Sequence, residues 1–408
     1  LTFPNSAFGI VYPPMERQKT QQVNQPGDGG SFLSVFILSG VLFTNLFSRA
    51  IFSPLLIQLK RDLALSNAQA GRMFLFIYIG FGVSLFLSGM AASRINHRGS
   101  ITLSLLWIAA SLVVLSFLEN LAVFFVCLVF LGLGSGLYIA SGVAVINRLV
   151  RPERLGTALA VHEVGPTLSL ILAPLAVELF MNFTGWRGIL RITAGINVGM
   201  AVVYLLFGKK ADFPGRTPNF HNIRDVITRR VFWVVMLLFF LAFCAAHGIY
   251  NLLPNYLIEE KGIGTDVVNI FVGTSRISGL ASIFLSGLLV DRIGIKRTIL
   301  LIMVVCGIFT ILLGLASGPL LIIAMFLQPI LITAYFPAGL AAISHMGHPE
   351  LRNITVSLVM PVALFSGIGA VPALFGYLGD FHLMYAGVAV LGGLMLASTW
   401  PLMRSGLR

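Results

Sequence analysis

Four ionisable side chains stand inside long apolar stretches of the sequence: Arg49, Glu163, His247 and Arg276. A charge near the centre of a bilayer costs about 2.5–3.5 kcal/mol on insertion scales, so each such residue is a functional-site hypothesis. Arginine binds planar oxyanions through two parallel hydrogen bonds, a buried carboxyl can carry a proton, and histidine titrates near neutral pH. These types predict a substrate site at Arg49, Arg276 and His247, with Glu163 and His247 exchanging protons.

Each of these charges has a structural alternative. The two arginines could pair with a carboxylate or with backbone carbonyls, and Glu163 could be a fixed partner of one of them. His162 is adjacent to Glu163, and we expect Glu163 to face inward and His162 to face neighbouring helices. Uncharged polar residues of the same stretches are expected to complete the wall of the substrate site, although each could equally be ordinary helix–helix contact. They are Asn45, Tyr78, Asn251 and Gln328.

The composition of the 408 residues is that of a membrane protein. Hydrophobic residues make up 57% and charged residues 10%, whereas a soluble domain is about 25% charged. The mean hydropathy is +0.93. A soluble enzyme, a disordered protein and a disulfide scaffold are excluded. No phosphate loop, metal-ligand spacing or nucleophile motif occurs, so we expect neither an enzyme nor a bound metal or cofactor.

Twelve apolar stretches predict an all-α integral membrane fold of twelve transmembrane helices in two pseudo-symmetric six-helix bundles. We divide the chain into a flexible cytoplasmic tail over 1–30, an N-terminal bundle over 31–208, a cytoplasmic linker over 209–230 and a C-terminal bundle over 231–408. The approximate spans are 32–58, 66–92, 99–118, 121–147, 154–181, 187–208, 231–258, 265–290, 297–316, 319–344, 352–379 and 382–403.

The basic residues orient these helices. With both termini in the cytoplasm, nineteen Lys and Arg fall on the cytoplasmic side and four on the other side. This bias agrees with the positive-inside rule and explains the net charge of +12 without nucleic acid. We expect a monomeric multi-pass protein of the plasma membrane, the inner membrane in a bacterium, whose partners are lipid, protons and a small molecule.

The sequence repeats itself at an offset of 198 residues. Residues 84–95 read SLFLSGMAASRI and residues 282–293 read SIFLSGLLVDRI, with seven of twelve positions identical. The same offset relates Arg49 to His247. Two such halves place a substrate site at their interface, near the middle of the membrane.

The second copy of this segment carries a recognisable loop signature. Residues 287–297, GLLVDRIGIKR, match G-x-x-x-D-R/K-x-G-x-K/R-K/R at every defined position, and in this the chain resembles the major facilitator superfamily. The first copy keeps Gly89, Arg94 and Arg98, with Ser93 and Asn96 at two defined positions. The resemblance implies a conformational or gating role for the matching residues: Gly89, Arg94, Arg98, Gly287, Asp291, Arg292, Gly294, Lys296 and Arg297.

An arginine in this part of helix one also resembles the anion:cation symporter branch of that superfamily. Together with the intramembrane charges, this resemblance implies a secondary transporter that works by alternating access and moves a small organic or inorganic anion with protons. Two alternatives remain open. One is a proton-coupled exporter of a lipophilic compound, which Gly165-Pro166 would suit. The other is a transporter-like sensor that binds its ligand without flux.

Overall fold

The computed structural model describes residues 28–151, 154–208, 211–214, 223–344 and 349–405. Most of the predicted tail lies outside these ranges, but the first helix begins at Asp28, two residues before the predicted end of the tail at residue 30. Much of the predicted linker, 209–210 and 215–222, also lies outside. The helices are, in chain order, α1 Asp28–Ala50, α2 Phe52–Asp62, α3 Asn67–Leu115, α4 Leu121–Leu149, α5 Leu155–Phe207, α6 Ile223–Ile227, α7 Arg230–Phe243, the π-helical turn π1 Cys244–Gly248, α8 Ile249–Glu259, α9 Thr265–Ile293, α10 Ile295–Leu315, α11 Gly318–Ser344, α12 Pro349–Leu364, the π-helical turn π2 Phe365–Ala370, α13 Val371–Gly379, α14 Met384–Ala397 and α15 Thr399–Met403.

Two of these helices are long enough to cross a membrane twice. α3 has 49 residues and α5 has 53, whereas one crossing needs about 20. Each contains one residue with a non-helical, positive φ, Asn96 at 61° and Gly185 at 62°, which divides it into two arms. Within the described ranges, nine helices are long and apolar enough to span a bilayer, α3 and α5 among them. Two crossings in each of α3 and α5, together with one in α9, are consistent with the twelve predicted crossings.

The offset of 198 residues found in the sequence also relates features of the backbone. Asn96 in the first half corresponds to Gly294, and both have positive φ, 61° and 82°. A polar contact is repeated as well. The guanidinium of Arg98 donates to the carbonyl of Leu205, and the ammonium of Lys296 donates to the carbonyl of Met403, each at 2.9 Å. The two halves therefore share their turns and the contacts that fix them.

Predicted helices one, seven and eleven are each interrupted, and proline explains two of these three interruptions. A proline inside a helix lacks an N–H, and its ring collides with the carbonyl four residues earlier. Pro54 stands four residues after Ala50, where α1 ends. Pro372 stands four residues after Ile368, inside π2. The third interruption, π1, lies in the predicted helix seven, and the offset relates its last residue, Gly248, to Ala50.

Within each half the helices pack closely, α3 against α4 and α1 against α5 in the first, and α10 against α14 and α9 against α11 in the second. Contacts between the halves are made by α3 with α13, α5 with α9, and α2 with α8. At the contact of π1 with π2, a Cβ on Gly248 would lie 2.5 Å from the carbonyl oxygen of Gly367. Only glycine allows this close approach.

Polar contacts between the halves gather at one end of the molecule. Lys60 at the end of α2 donates to Asn67 and to Glu259 at the end of α8. The carboxylate of Asp380 accepts hydrogen bonds from the backbone N–H groups of Asn67 at 2.6 Å and Ala68 at 3.2 Å. These are the first two residues of α3, where N–H groups have no partner within the helix. The halves are thus held together at the end that the basic residues assign to the outside.

Candidate functional site

A cavity with an empty volume of about 560 Å³, which includes solvent at its mouth, lies between the halves. It is formed where α1 breaks into α2 and where π1 interrupts the α7–α8 segment. Among the described residues that line it, none is Asp or Glu. The lining consists of Leu46, Arg49, Ala50, Ser53, Pro54, Phe74, Ile77, Tyr78, Leu170, Ala173, Pro174, His247, Tyr250, Asn251, Val272 and Arg276.

Arg49 reaches this cavity from the last turn of α1. The side chain is 6% exposed, and its Nη2 donates to Oδ1 of Asn45 at 3.2 Å. The guanidinium carbon lies 4.4 Å from the ring centroid of Phe81 and 5.4 Å from that of Tyr78. Nε of Arg49 is buried without a hydrogen-bond partner in the described part of the chain. Aromatic faces thus stabilise the cation while leaving donors available to a ligand.

Arg276 reaches the same cavity from α9 in the other half. It is 7% exposed, and its Nη2 donates to the backbone carbonyl of Ala246 in π1 at 2.7 Å. The guanidinium carbon lies 3.5 Å from the ring centroid of Tyr250. A guanidinium has five N–H donors, so the bond to Ala246 leaves capacity for an anion. Neither arginine forms an ion pair with a carboxylate among the described residues.

The offset of 198 residues connects four residues of the lining as two pairs. Arg49 corresponds to His247, as the sequence indicated, and Tyr78 corresponds to Arg276. All four line the cavity. Each half therefore contributes one arginine, but from a different helix. His247 is half-buried in π1, and its ring centroid lies 6.0 Å from that of Phe243.

Asn251 also lines the cavity, as expected, and its amide belongs to a recurring pattern around the site. Nδ2 of Asn251 donates at 3.2 Å to the carbonyl of Ile368, which Pro372 prevents from accepting a helical bond. Ser53 likewise binds the carbonyl of Tyr250, four residues before a proline, at 2.9 Å. The Tyr250 hydroxyl binds the carbonyl of Met325, four residues before Pro329, at 3.1 Å. Polar side chains thus satisfy the carbonyls that the prolines release.

Two predicted wall residues do not line the cavity, and these expectations are corrected. Asn45 is fully buried behind Arg49, and its Nδ2 donates to the carbonyl of Ser135 at 2.9 Å. Gln328 is fully buried, and its Nε2 donates to the carbonyl of Ala245 in π1 at 3.0 Å. Both amides are therefore bound inside the protein: Asn45 also holds the Arg49 guanidinium, whereas Gln328 binds the backbone of π1 and contacts neither arginine.

Glu163 does not line the cavity with the arginines. It lies seven residues before Leu170 on α5, which is about two turns along the same helix face, and its side chain is 66% exposed. His162 faces the neighbouring helices, as expected, and its Nε2 lies 2.7 Å from the Tyr138 hydroxyl. Although the two residues occupy different faces, Nδ1 of His162 lies 3.6 Å from Oε1 of Glu163.

The residues of the loop signature lie away from the cavity, at the opposite end of the molecule from Asp380. Gly294 ends α9, and its positive φ of 82° suits glycine. Arg98 and Lys296 bind carbonyls within their own half, as described above. The gating role of the set stays a prediction. Gly89 and Gly287 lie within α3 and α9, and the exposed side chains of the set are Arg94, Asp291, Arg292 and Arg297.

Sequence reasoning missed Ser53 as part of the site. Ser53 binds the carbonyl of Tyr250 in the other half, and the ring of Tyr250 lies against Arg276. The position of Pro254 could have found Ser53, because this proline marks the carbonyl of Tyr250 as one that needs another donor.

Comparison with known proteins gives three findings that bear on this site. "Probable sulfoacetate transporter SauU" of Cupriavidus necator is 23% identical over 259 residues, which cover 59% of this chain and 60% of that protein. "Probable hexose phosphate transport protein" of Chlamydia trachomatis is 26% identical over 300 residues, 64% of each chain. The alignments thus span less than two thirds of either relative. The crystal structure of a POT family transporter in complex with 5-aminolevulinic acid superposes with a TM-score of 0.78 at 16% identity, over 93% of this chain and 97% of that one.

The structural similarity, at this level of identity, establishes the fold. The profile described as Major Facilitator Superfamily matches residues 38–319, more than half of the chain, and includes α2–α5 and α7–α10, which carry every lining residue outside α1. With its membrane-spanning helices and this match, the chain is a multi-pass membrane protein that belongs to the Major Facilitator Superfamily.

Proposed function

We propose that the protein is a secondary active transporter that moves a small anion by alternating access, coupled to protons. The observation that carries the proposal is the presence of Arg49 and Arg276, one from each half, in a single cavity whose described lining has no carboxylate. Two guanidinium groups in a low-dielectric space attract negative charge and bind carboxylate, phosphate or sulfonate oxygens through paired donors. The two relatives described above carry the names of anions, a sulfonate and a phosphate ester, which supports this class.

The arrangement also suits alternating access. A ligand bound between Arg49 and Arg276 contacts both halves, so its binding energy favours states in which the halves are close around it. The contacts of Lys60 and Asp380 hold the two halves together at one end, the end that the basic residues assign to the outside. Release of those contacts would open the outer end.

The test is transport by the full chain in proteoliposomes. Counterflow of radiolabelled sulfoacetate, glucose 6-phosphate and nitrate is measured with wild-type protein and with Arg49→Ala and Arg276→Ala. We expect saturable counterflow of at least one anion, lost in both variants. Arg191→Ala is the matched control, because Arg191 lies in a membrane helix but binds Ser116 outside the cavity.

Other outcomes separate the alternatives. Counterflow that both alanine variants retain contradicts the assignment of the site. Pumping of a lipophilic dye against its gradient, with no anion bound, indicates the exporter. Saturable anion binding without flux indicates the sensor.

A further inference from the structure

His162, Glu163 and Tyr138 form a polar group that the cavity does not include. Tyr138 on α4 is fully buried, and its hydroxyl oxygen lies 2.7 Å from the carbonyl oxygen of Leu38 on α1 and 2.7 Å from Nε2 of His162. A hydroxyl has one proton to donate, and a carbonyl oxygen can only accept. Tyr138 therefore donates to Leu38 and accepts from His162, which assigns a proton to Nε2 of His162.

This assignment leaves Nδ1 of His162 as the nitrogen with the lone pair in the neutral ring. Nδ1 is buried and has no hydrogen-bond partner among the described residues. The nearest charged atom recorded there is Oε1 of Glu163, at 3.6 Å. The lone pair of Nδ1 and the carboxylate oxygen are both hydrogen-bond acceptors, and no proton lies between them. One added proton on Nδ1 would convert this contact into a charge-assisted hydrogen bond.

The surroundings supply a route for this proton. The side chain of His162 is 3% exposed, whereas that of Glu163 is 66% exposed. Because Glu163 lies on the same face of α5 as the cavity-lining Leu170, it faces the space between the halves and can pass a proton from that space to Nδ1. The other ionisable groups near this cluster are Tyr138 itself on α4 and Tyr204 on the second arm of α5, and Arg98 and Asp212 lie near Tyr204. Glu163 is the acidic group that faces Nδ1 from α5, and the recorded contacts of α1 with the cluster are the carbonyl of Leu38 and the hydroxyl of Ser39.

The cluster also has a mechanical connection to the cavity. Ser39 Oγ on α1 donates to the backbone carbonyl of His162 at 3.2 Å, and Tyr138 binds the carbonyl of Leu38 beside it. Arg49 lies on the same helix, ten residues beyond Ser39, which is about three turns. A change of charge on His162 alters the hydrogen bonds that hold the middle of α1, and α1 carries Arg49 in its last turn.

We propose that the coupling proton of this transporter is bound by His162 at Nδ1, opposite Glu163. The inference rests on the proposed function and deepens it, because it gives the proton a site separate from the anion. The proton forms an Nδ1–H bond, and the imidazolium is balanced by the Glu163 carboxylate. The proton leaves by the same carboxylate once the cluster meets water of higher pH.

Transport by variants separates this proposal from the proposed function. His162→Gln keeps an amide donor for Tyr138 but cannot take a proton. Anion counterflow needs no net proton movement, and we expect His162→Gln to retain it. A gradient of one pH unit supports at most about tenfold accumulation per coupled proton. We expect accumulation in wild-type vesicles and its loss, to a ratio of about one, in His162→Gln and in Glu163→Gln.

A matched control is His97→Asn, which replaces a second buried histidine of the same half that contacts Ser141 through Nδ1. It should accumulate anion as the wild type does. Failure of wild-type counterflow contradicts the proposed function. Intact counterflow with undiminished accumulation by His162→Gln overturns the proton site alone.

A direct measurement keeps the proposal falsifiable if His162→Gln does not fold. ¹⁵N NMR of histidine-labelled wild-type protein in lipid distinguishes the two neutral tautomers from the cation. The His162 signal, assigned as the one absent from His162→Asn or by selective labelling, should show Nε2–H at high pH and a doubly protonated ring as the pH falls. A ring that remains neutral over the pH range in which accumulation changes overturns the proposal.

Discussion

The guanidinium of Arg49 is held by a side chain, whereas that of Arg276 is held by the backbone. Asn45 on the same helix binds Arg49, and it is itself fixed by Ser135 of α4. Arg276 binds the carbonyl of Ala246, which lies within the π-helical turn π1. The first half thus positions its arginine with a neighbouring side chain, and the second half positions its arginine with a backbone carbonyl.

The difference shows how two related halves came to serve one asymmetric site. Arg49 corresponds to His247 and Tyr78 to Arg276. The position that holds an arginine in one half therefore holds an aromatic ring in the other half. In the first half the arginine lies over the rings of Tyr78 and Phe81, and in the second over the ring of Tyr250. An anion with two unlike ends would therefore bind in one orientation.

The largest expected effect tests whether both arginines contribute. Arg49→Ala and Arg276→Ala should each weaken binding of the transported anion by about 10–100-fold, because a hydrogen bond to a charged group contributes about 1.5–3 kcal/mol. Equilibrium binding to purified protein measures this, with Arg191→Ala as the control. An unchanged dissociation constant in one variant would show that only the other arginine binds the anion.

A smaller effect should distinguish the two ways of holding the cation. Asn45→Ala removes the side chain that fixes Arg49, and we expect anion affinity to fall by about 3–10-fold, equivalent to a hydrogen bond of about 1 kcal/mol. Gln328→Ala leaves the Arg276–Ala246 bond in place and should change affinity less than twofold, while lowering the melting temperature because the carbonyl of Ala245 loses its donor. Equal losses of affinity would show that the two anchors are equivalent.

The contacts that close the outer end determine from which side of the membrane a ligand can reach both arginines. Asp380→Asn removes the charge that caps α3, an interaction of about 0.5–2 kcal/mol. We expect the outer end to open more often, so that a cysteine placed at Ser53 is labelled about 2–30-fold faster by an impermeant thiol reagent from outside. Glu119→Gln, also at that end but exposed, is the control, and equal labelling of both variants would contradict a gating contact.

The smallest expected effect concerns the equivalent turns at Asn96 and Gly294, one in each half. Asn96→Gly should change the free energy of unfolding by less than about 1 kcal/mol, because Asn tolerates positive φ moderately well. Gly294→Ala should destabilise the protein by about 1 kcal/mol, since alanine does not. Thermal unfolding in detergent measures both, and a neutral Gly294→Ala would show that this turn relaxes.

The sequence predicted the membrane fold. Five residues that it predicted for the substrate site line the cavity, namely Arg49, His247, Tyr78, Asn251 and Arg276, and their role in binding stays a prediction. A charge inside a membrane is costly, so the reason for choosing the charged members is visible in residue types alone. The depth of each residue followed from counting along apolar stretches, which requires no knowledge of packing.

The direction of a neutral polar side chain could not be obtained in this way. In the sequence, Asn45 and Gln328 stand among apolar residues, just as the cavity residues do. Only the tertiary structure shows that each amide donates to a backbone carbonyl inside the protein. No sequence signal predicts the turn π1, because no proline stands four residues after Ala245 or Ala246. The tautomer of His162 likewise depends on Tyr138, which is 24 residues away.

The contact of Asp380 with the start of α3 has a consequence for the solvent. When the halves separate there, one carboxylate and the N–H groups of Asn67 and Ala68 must all become hydrated at once, since the helix offers them no substitute. Opening of this end is therefore a wetting step, and it takes up water that the closed form excludes. Sucrose or another osmolyte that is excluded from protein surfaces should bias the carrier toward the closed form and slow its turnover.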